Sequence, residues 1–340
     1  MSIISERPEG GEEQPLRAAR GGRNGLTQRQ QRRLDLAARA AWLYYVAGKT
    51  QDEIAARLNV SRPGAQRLVS LAVAEGLIKF RIDHPIAACV ELSERLRVER
   101  GLDYCEVVPG DPDSPDGVTG IAVCAAERIE SYLSSRVPTV MAFGTGRTLR
   151  AAVAQVTAMD NPQHKIVSLV GNLTRDGRAS PYDVVMRLAD QVGAQCYPLP
   201  TPVVIETAEA KALLQAQRPF QTIRGLVSAA RVAFVGIGGV GWNEPLHKDG
   251  FVTDEELAAL LEHQAVGEIC GWAFDAEGRL IRSPLSERLG AVPLSLLPER
   301  SIVAVACGRA KVPAIAAALR GRLIAGLITD EATAHALLAA

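Results

Sequence analysis

The 340 residues carry 38 basic and 38 acidic side chains, with few aromatics and much Ala, Gly, Leu and Val, a composition suited to α/β packing. This length exceeds one ordinary domain and suffices for two. No apolar run reaches the ~20 residues that cross a bilayer, and the polar, acid-bearing N-terminus is not a signal peptide, so no membrane is expected and the cytoplasm is the expected compartment. Six cysteines form no C-x-x-C pair and five histidines no H-x-x-x-H pair, so reduced core cysteines are expected and neither metal nor cofactor is.

Residues 1–28 are rich in Gly, Glu, Arg and Pro without apolar periodicity and read as a disordered tail. From Gln30 to Val46 apolar positions recur at helical spacing: Leu34, Ala37, Ala38, Ala41, Trp42, Tyr45. "AGKT" breaks that helix. Thr50 with Glu53 three residues on is a capping box for a second helix, Gln51 to Leu58. "NV" turns the chain, Ser61 caps a third helix from Arg62 to about Glu75, and Gly76 closes it. "LIKFRI" then alternates apolar and basic residues like a short strand or wing.

This pattern is a helix-turn-helix signal, because a short first helix must pack across a second whose N-terminal face is left for the major groove. Ile54, Ala55, Leu58, Val60 and Leu68 supply the packing. The residues expected at double-stranded operator DNA are Lys49, Thr50, Ser61, Arg62, Gln66, Arg67 and Lys79. Arg suits a guanine edge and Gln an adenine, while Lys49, Lys79 and Arg81 suit phosphate. Residues 29–81 hold ten Lys/Arg against four acids, so a net +6 sits on this stretch while the rest of the chain carries −6. Such a basic module suits a polyanion partner. Gly64 is unusual inside a recognition helix, where it costs ~1 kcal/mol relative to Ala; close approach to the DNA backbone is one use for its missing side chain.

Residues 84–103 read as a linker helix between a DNA-binding domain, 29–83, and an effector domain, 104–340. Strands are predicted at 139–143, 165–169, 232–237, 301–306 and 325–328. Helices are predicted at 121–134, 148–158, 182–192, 221–229, 254–262, 313–319 and 330–338. The alternation implies βαβ units and a doubly wound, mainly parallel sheet.

Gly-rich loops follow several of these strands, where open α/β sheets place their ligands. In "MAFGTGRT" Gly144 and Gly146 permit close backbone approach, Thr145, Arg147 and Thr148 add donors, and the helix that follows favours an anion at its N-terminus. Gly171 and Asn172, Gly238 with its neighbouring glycines, Gly308 with Lys311, and Thr329 with Asp330 end other strands. Glu268 and Asp275 are acidic candidates for sugar hydroxyls. The loops fit a phosphate or a neutral polyol, since both use the same N–H groups.

"LYYVAGKTQDEIAARLNVSR", "GTGRTL", "SLVGNL", "VAFVGIGG", "QAVGEICGWAFD", "VACGRAKVPAIAAALRG" and "LITDEATAHALL" together resemble the SorC family of bacterial transcriptional regulators. The resemblance runs from about Leu34 to the C-terminus. It implies a winged helix-turn-helix followed by a sugar-binding domain of the ribose-5-phosphate isomerase and glucosamine-6-phosphate deaminase fold. A sugar, sugar-phosphate or polyol effector and a homotetramer (a dimer of dimers) are implied with it. Carried over, the effector loop falls on Gly144, Thr145, Gly146, Arg147 and Thr148, the basic position on Lys311, and the acidic positions on Glu268, Asp275 and Asp330. Two positions depart from the pattern: "RPGAQR" in the recognition helix and Cys307 before Gly308. "GIGGVGWNEP" resembles the deaminase loop but has Val240, Gly241 and Trp242 where that loop carries an acid and a histidine. The expected role is therefore a regulator and not an enzyme, with a sugar-phosphate isomerase or deaminase carrying a DNA-binding appendage as the alternative.

Overall fold

The computed structural model describes residues 27–79, 86–110, 117–298 and 300–340. The chain divides between residues 79 and 80 into two units. Of the expected disordered tail, residues 1–26 lie outside the described residues, but Thr27 and Gln28 do not belong to a tail. Thr27 caps helix α1 (Gln28–Ala41) in a capping box with Gln30.

In the first unit α1 passes into one turn of π-helix, Trp42–Val46, where the Ala47 N–H bonds the Trp42 carbonyl. Ala37, Ala40, Ala41 and Leu43 are buried, whereas Trp42, one α-helical turn after the exposed Ala38, and Tyr45, which the sequence assigns to the apolar face, are exposed. Helix α2 (Gln51–Leu58) starts at Thr50, whose hydroxyl takes the Glu53 N–H while the Glu53 carboxylate takes the Thr50 N–H. Asn59 makes the turn in the left-handed region, at φ 53°. Helix α3 (Arg62–Ala74) follows, and Ile54, Ala55, Ala65 and Val69 close a small core with Ala40 and Leu43, flanked by Leu58, Val60 and Leu68. Leu77 and Ile78 pack beside Ala37, Ala41 and Ala72. They are not in a strand, and the rest of the expected wing, residues 80–82, lies outside the described residues.

The second unit opens with α4 (Ala87–Glu99). Its sequence suggests a linker, but Cys89, Leu92 and Leu96 are instead buried in the core of the unit. The elements that follow are β1 (Tyr104–Val108), α5 (Val118–Leu133), β2 (Val140–Phe143), α6 (Arg147–Gln155), β3 (Lys165–Leu173), α7 (Val185–Val192), β4 (Gln195–Pro202), α8 (Ala208–Gln215), α9 (Arg218–Ser228) and β5 (Val232–Val235). Next come β6 (Gly238–Gly239), α10 (Pro245–Lys248), α11 (Asp254–Glu262), β7 (Gly267–Ile269), β8 (Trp272–Phe274), α12 (Pro284–Arg288), β9 (Ile302–Val305), α13 (Val312–Arg320), β10 (Gly326–Asp330) and α14 (Glu331–Ala339).

Seven strands form one sheet in the order β1-β10-β9-β5-β2-β3-β4, and every neighbouring pair is parallel. The period of two along each strand builds a core on both faces. Met141, Phe143, Val232 and Phe234 meet α5, α6 and α7 on one side. Ala142, Ala233, Val235, Ala304 and Leu327 meet α4, α9, α13 and α14 on the other. The sheet is thus doubly wound, as the alternation of elements implies. Strands β6, β7 and β8 form a small antiparallel sheet of their own. The cysteines are free and mostly buried, but Cys196, on β4, is exposed.

Candidate functional site

The strand order reverses between β2 and β5. From β2 the chain steps outward through β3 to β4, then returns to β5 on the opposite side of β2 and proceeds to β9 and β10. At such a switch point the two following loops leave in opposite directions and open a crevice at the carboxyl ends of the strands. Those loops are Gly144–Gly146 and the segment after Val235. The Gly144 N–H bonds the Phe234 carbonyl at 2.8 Å, which locks the two strand ends together. A Cβ on Gly144 would stand 2.9 Å from the Cys270 sulfur, so Cys270 forms the floor below the loop.

Helix α6 begins at Gly146, at φ 130°, with no side-chain cap. Helices α2, α3, α11 and α14 all have one, from Thr50, Ser61, Thr253 and Asp330. The first N–H groups of α6 thus take no side-chain cap and stand at the carboxyl ends of the strands, where a helix N-terminus can meet an acceptor. Gly144 and Thr145 line a recess with Ser168, Gly171, Asn172, Ser180 and Asp183. The Thr145 hydroxyl donates to the Tyr182 carbonyl at 2.5 Å, and Thr148 is buried. Arg147 is not a free anion ligand. Its guanidinium meets the Asp249 carboxylate at 3.1 Å and the Tyr182 hydroxyl at 3.3 Å, and Tyr182 donates to Asp249 at 2.8 Å.

Glu268 sits on β7 opposite Gly238 of β6. A Cβ at Gly238 would lie 2.3 Å from a Glu268 carboxylate oxygen, so glycine there makes room for the acid. Burial pushes the Glu268 carboxyl up, and the Gly271 N–H, at 2.7 Å, and the charge of Lys311 pull it partly back. Lys311 ends a short turn, Arg309–Lys311, after β9, which brings it to the same end of the sheet.

Two acids expected beside Glu268 have other work. Asp330 caps α14, accepting the Thr333 N–H at 2.7 Å. Asp275 accepts the Glu277 and Arg279 N–H groups in the turn after β8. That turn abuts the far end of α13: Gly278 packs on Ala317 and Gly321. Nine helical residues, about 13 Å of rise, separate that end from Lys311. Asp275 itself stands two residues beyond Ala273, the register partner of Glu268, with its carboxylate engaged in its own turn. Gly171 also has a packing role, since a Cβ there would lie 2.4 Å from the Thr201 carbonyl oxygen. Tyr182, Asp183, Glu244, Asp249 and Cys270 are the residues that sequence reasoning misses. The carboxylate of Glu244 lies over Gly239. Only "NEP" and the glycines before it point to Glu244, and Cys270 lies inside "QAVGEICGWAFD"; Tyr182, Asp183 and Asp249 stand at no motif.

In the first unit Arg62, Gln66 and Arg67 are exposed on the first two turns of α3. Thr50 and Ser61, expected at DNA, spend their hydroxyls as helix caps. Ser61 also accounts for Gly64: a Cβ there would stand 3.2 Å from the Ser61 hydroxyl and 3.4 Å from the Val60 Cβ. Lys49 pairs with Glu53 at 3.7 Å, and Arg67 reaches back to the Pro63 carbonyl at 3.2 Å. Arg62 faces Asp52 at 3.6 Å with both side chains about 70% exposed, a pairing too solvated to hold it from a base. Replacing Arg62 by Ala is expected to cost ~1–3 kcal/mol of operator affinity, concentrated at one base pair. Binding to a panel of single-base operator variants measures this, and an equal loss on every sequence would assign Arg62 to phosphate.

A helix-turn-helix joined to a doubly wound domain with a switch-point crevice defines a ligand-responsive transcriptional regulator. A family model described as "Putative sugar-binding domain" matches residues 84–339. The chain belongs to this sugar-binding family of transcriptional regulators, the SorC family. It is 37% identical to the erythritol catabolism regulatory protein EryD of Brucella abortus (strain 2308), over 89% of this chain and 96% of that one. It is 30% identical to the deoxyribonucleoside regulator of Bacillus subtilis (strain 168), over 89% and 97% of the two chains. The full-length sorbitol operon regulator SorC from Klebsiella pneumoniae has the same fold, with a TM-score of 0.67 and 23% identity over 90% of this chain and 98% of that one. Among the described residues no helix is long and apolar enough to cross a membrane.

Proposed function

We propose that the crevice beside Gly144–Thr148 binds a small, uncharged, hydroxyl-rich molecule, a polyol or free sugar, and that its occupancy sets the affinity of α3 for operator DNA. The observation that carries this reading is the charge balance of the site. Both expected cations already face a carboxylate: Arg147 meets Asp249 at 3.1 Å, and Lys311 acts on Glu268. Asp183 adds a further acid to the recess. A dianionic phosphate would enter against this field, whereas sugar hydroxyls donate to carboxylates and accept from the open N–H groups of α6. The regulator of erythritol catabolism among the relatives is in keeping with a small polyol. In this reading Thr145, Asn172 and Glu268 touch the effector, Arg62, Gln66 and Lys79 touch DNA, and residues 84–103 belong with the effector domain. The protein works in the cytoplasm as a homotetramer without turning its effector over. Linkage makes the coupling reciprocal: the effector shifts operator affinity by the factor by which operator shifts effector affinity.

Thermal shift with paired ligands tests this. Four- to six-carbon polyols and sugars are compared with their phosphate esters, and hits are carried into mobility-shift assays on the operator. A free polyol is expected to raise the melting temperature by mass action and to change the operator complex. Stabilisation by phosphate esters alone would overturn the uncharged effector, and product accumulating from any of them would favour the enzyme.

A further inference from the structure

Helix α1 begins before the core of its unit does. Ala41 and Ala37, four residues apart on one row of the helix, are buried with Ala72, beside Leu77 and Ile78. The next two positions back along that row are Arg33 and Arg29. Both are exposed, as is Arg32 beside them. None of the three has an ion-pair or hydrogen-bond partner among the described residues, and the nearest acid, Asp35, accepts from Gln31 at 3.2 Å instead. No acid stands in the first turn, and the capping box at Thr27 is completed by the neutral Gln30. Cations at the positive end of a helix dipole weaken the helix that carries them. Three arginines that weaken the free protein and pack on nothing call for a partner of negative charge.

We infer that Arg29, Arg32 and Arg33 hold phosphates of duplex DNA away from the bases that the first turns of α3 read. The inference extends the reading of α3 as a DNA helix, and three observations select the partner. Residues 14–34 hold six arginines and no acid, a run that suits a polyanion; Arg17, Arg20 and Arg23 among them lie outside the described residues. The stretch "QRQQRR", 28–33, has no apolar side chain with which to enter a lipid surface. The third observation is position. Ala40 and Leu43 pack with Ala65 and Val69, and Ala37 and Ala41 with Ala72, so α1 runs back along α3. Its arginines emerge beside Leu77 and Ile78, where the chain continues to Lys79. Arg62 stands at the other end of α3, whose 13 residues rise roughly 20 Å. Contacts so placed meet the DNA backbone and add affinity without sequence.

The test titrates the full-length protein, without effector, onto a duplex of mixed sequence across a salt series. Each phosphate contact releases counterions and adds about 0.9 to the slope of log affinity against log salt. Arg29→Gln, Arg32→Gln and Arg33→Gln together are expected to flatten that slope by about 2 to 3, and to weaken operator and mixed-sequence DNA by the same factor. The glutamine variant is expected to melt no lower than the parent, which separates a lost contact from a lost fold. Lysine at all three positions is expected to keep the slope, because a phosphate accepts a point charge. A lysine variant as flat as the glutamine one would trace the loss to α1 itself and overturn the contact. Weakening confined to the operator would make these arginines base readers and overturn it too. An unchanged slope in the glutamine variant would overturn this inference alone, whereas a parent that leaves the duplex unbound at low salt would take down the reading of α3 as well.

Discussion

Gly171→Ala is expected to destabilise the second unit by about 3 kcal/mol or more, at the upper end of the cost of overpacking. For a unit of this size that is a fall of very roughly 6–12 °C in melting temperature. The new Cβ would lie 2.4 Å from the Thr201 carbonyl oxygen and 2.5 Å from that of Pro202. These are backbone atoms of the adjoining strand and cannot rotate away as a side-chain tip can. Movement in the other direction is blocked as well, because the Gly171 N–H donates to the Gly290 carbonyl at 2.6 Å, and Gly290 is itself pressed on Pro202. Gly225→Ala is the control. Its Cβ would enter open space within α9, so a gain of up to ~1 kcal/mol is expected from helix propensity. Differential scanning calorimetry compares the two. A Gly171→Ala protein that melts like the parent would show that the three segments are not packed as described.

Glu268→Gln is expected to act in opposite directions on stability and on effector binding. The folded protein holds the Glu268 carboxyl above the usual carboxylate range, with burial as the main cause. A raised acid gives its full contribution to stability below the unfolded pKa and loses it as pH climbs toward the folded value. Above that window the parent bears the cost of a crowded charge. Glutamine removes the titration, so the variant should melt higher than the parent at pH 8, and the gap should close toward pH 4. Effector binding should weaken by about tenfold or more, the worth of one hydrogen bond to a charged acceptor. Thermal melts across pH and calorimetric titration with the polyol identified by screening measure both. A variant less stable at pH 8 would overturn the account of the carboxyl, and unchanged affinity would remove Glu268 from the effector site.

Local features are legible along the chain itself. Thr50, Glu53 and Ser61 announce the helix-turn-helix because a cap needs its hydroxyl or carboxylate at a fixed spacing, and those spacings are followed in the fold. The five buried strands predicted at 139–143, 165–169, 232–237, 301–306 and 325–328 stand out for a similar reason: with both faces covered, they read as apolar runs. Strand β4 escapes sequence reading because Gln195, Pro200 and Pro202 look like loop, and an edge strand tolerates them.

The motifs along the chain determined the family, the basic reading unit and the glycine loops at the strand ends. Caps, apolar periods and loop glycines are short-range, and each is written within a few residues. Tertiary structure alone decided which of those loops share a crevice. It gave Arg147 to Asp249, 102 residues away, kept Glu268 beside Lys311, and engaged Asp275 in its own turn after β8. Such choices depend on the strand order, which is settled only when distant segments compete for the same buried space.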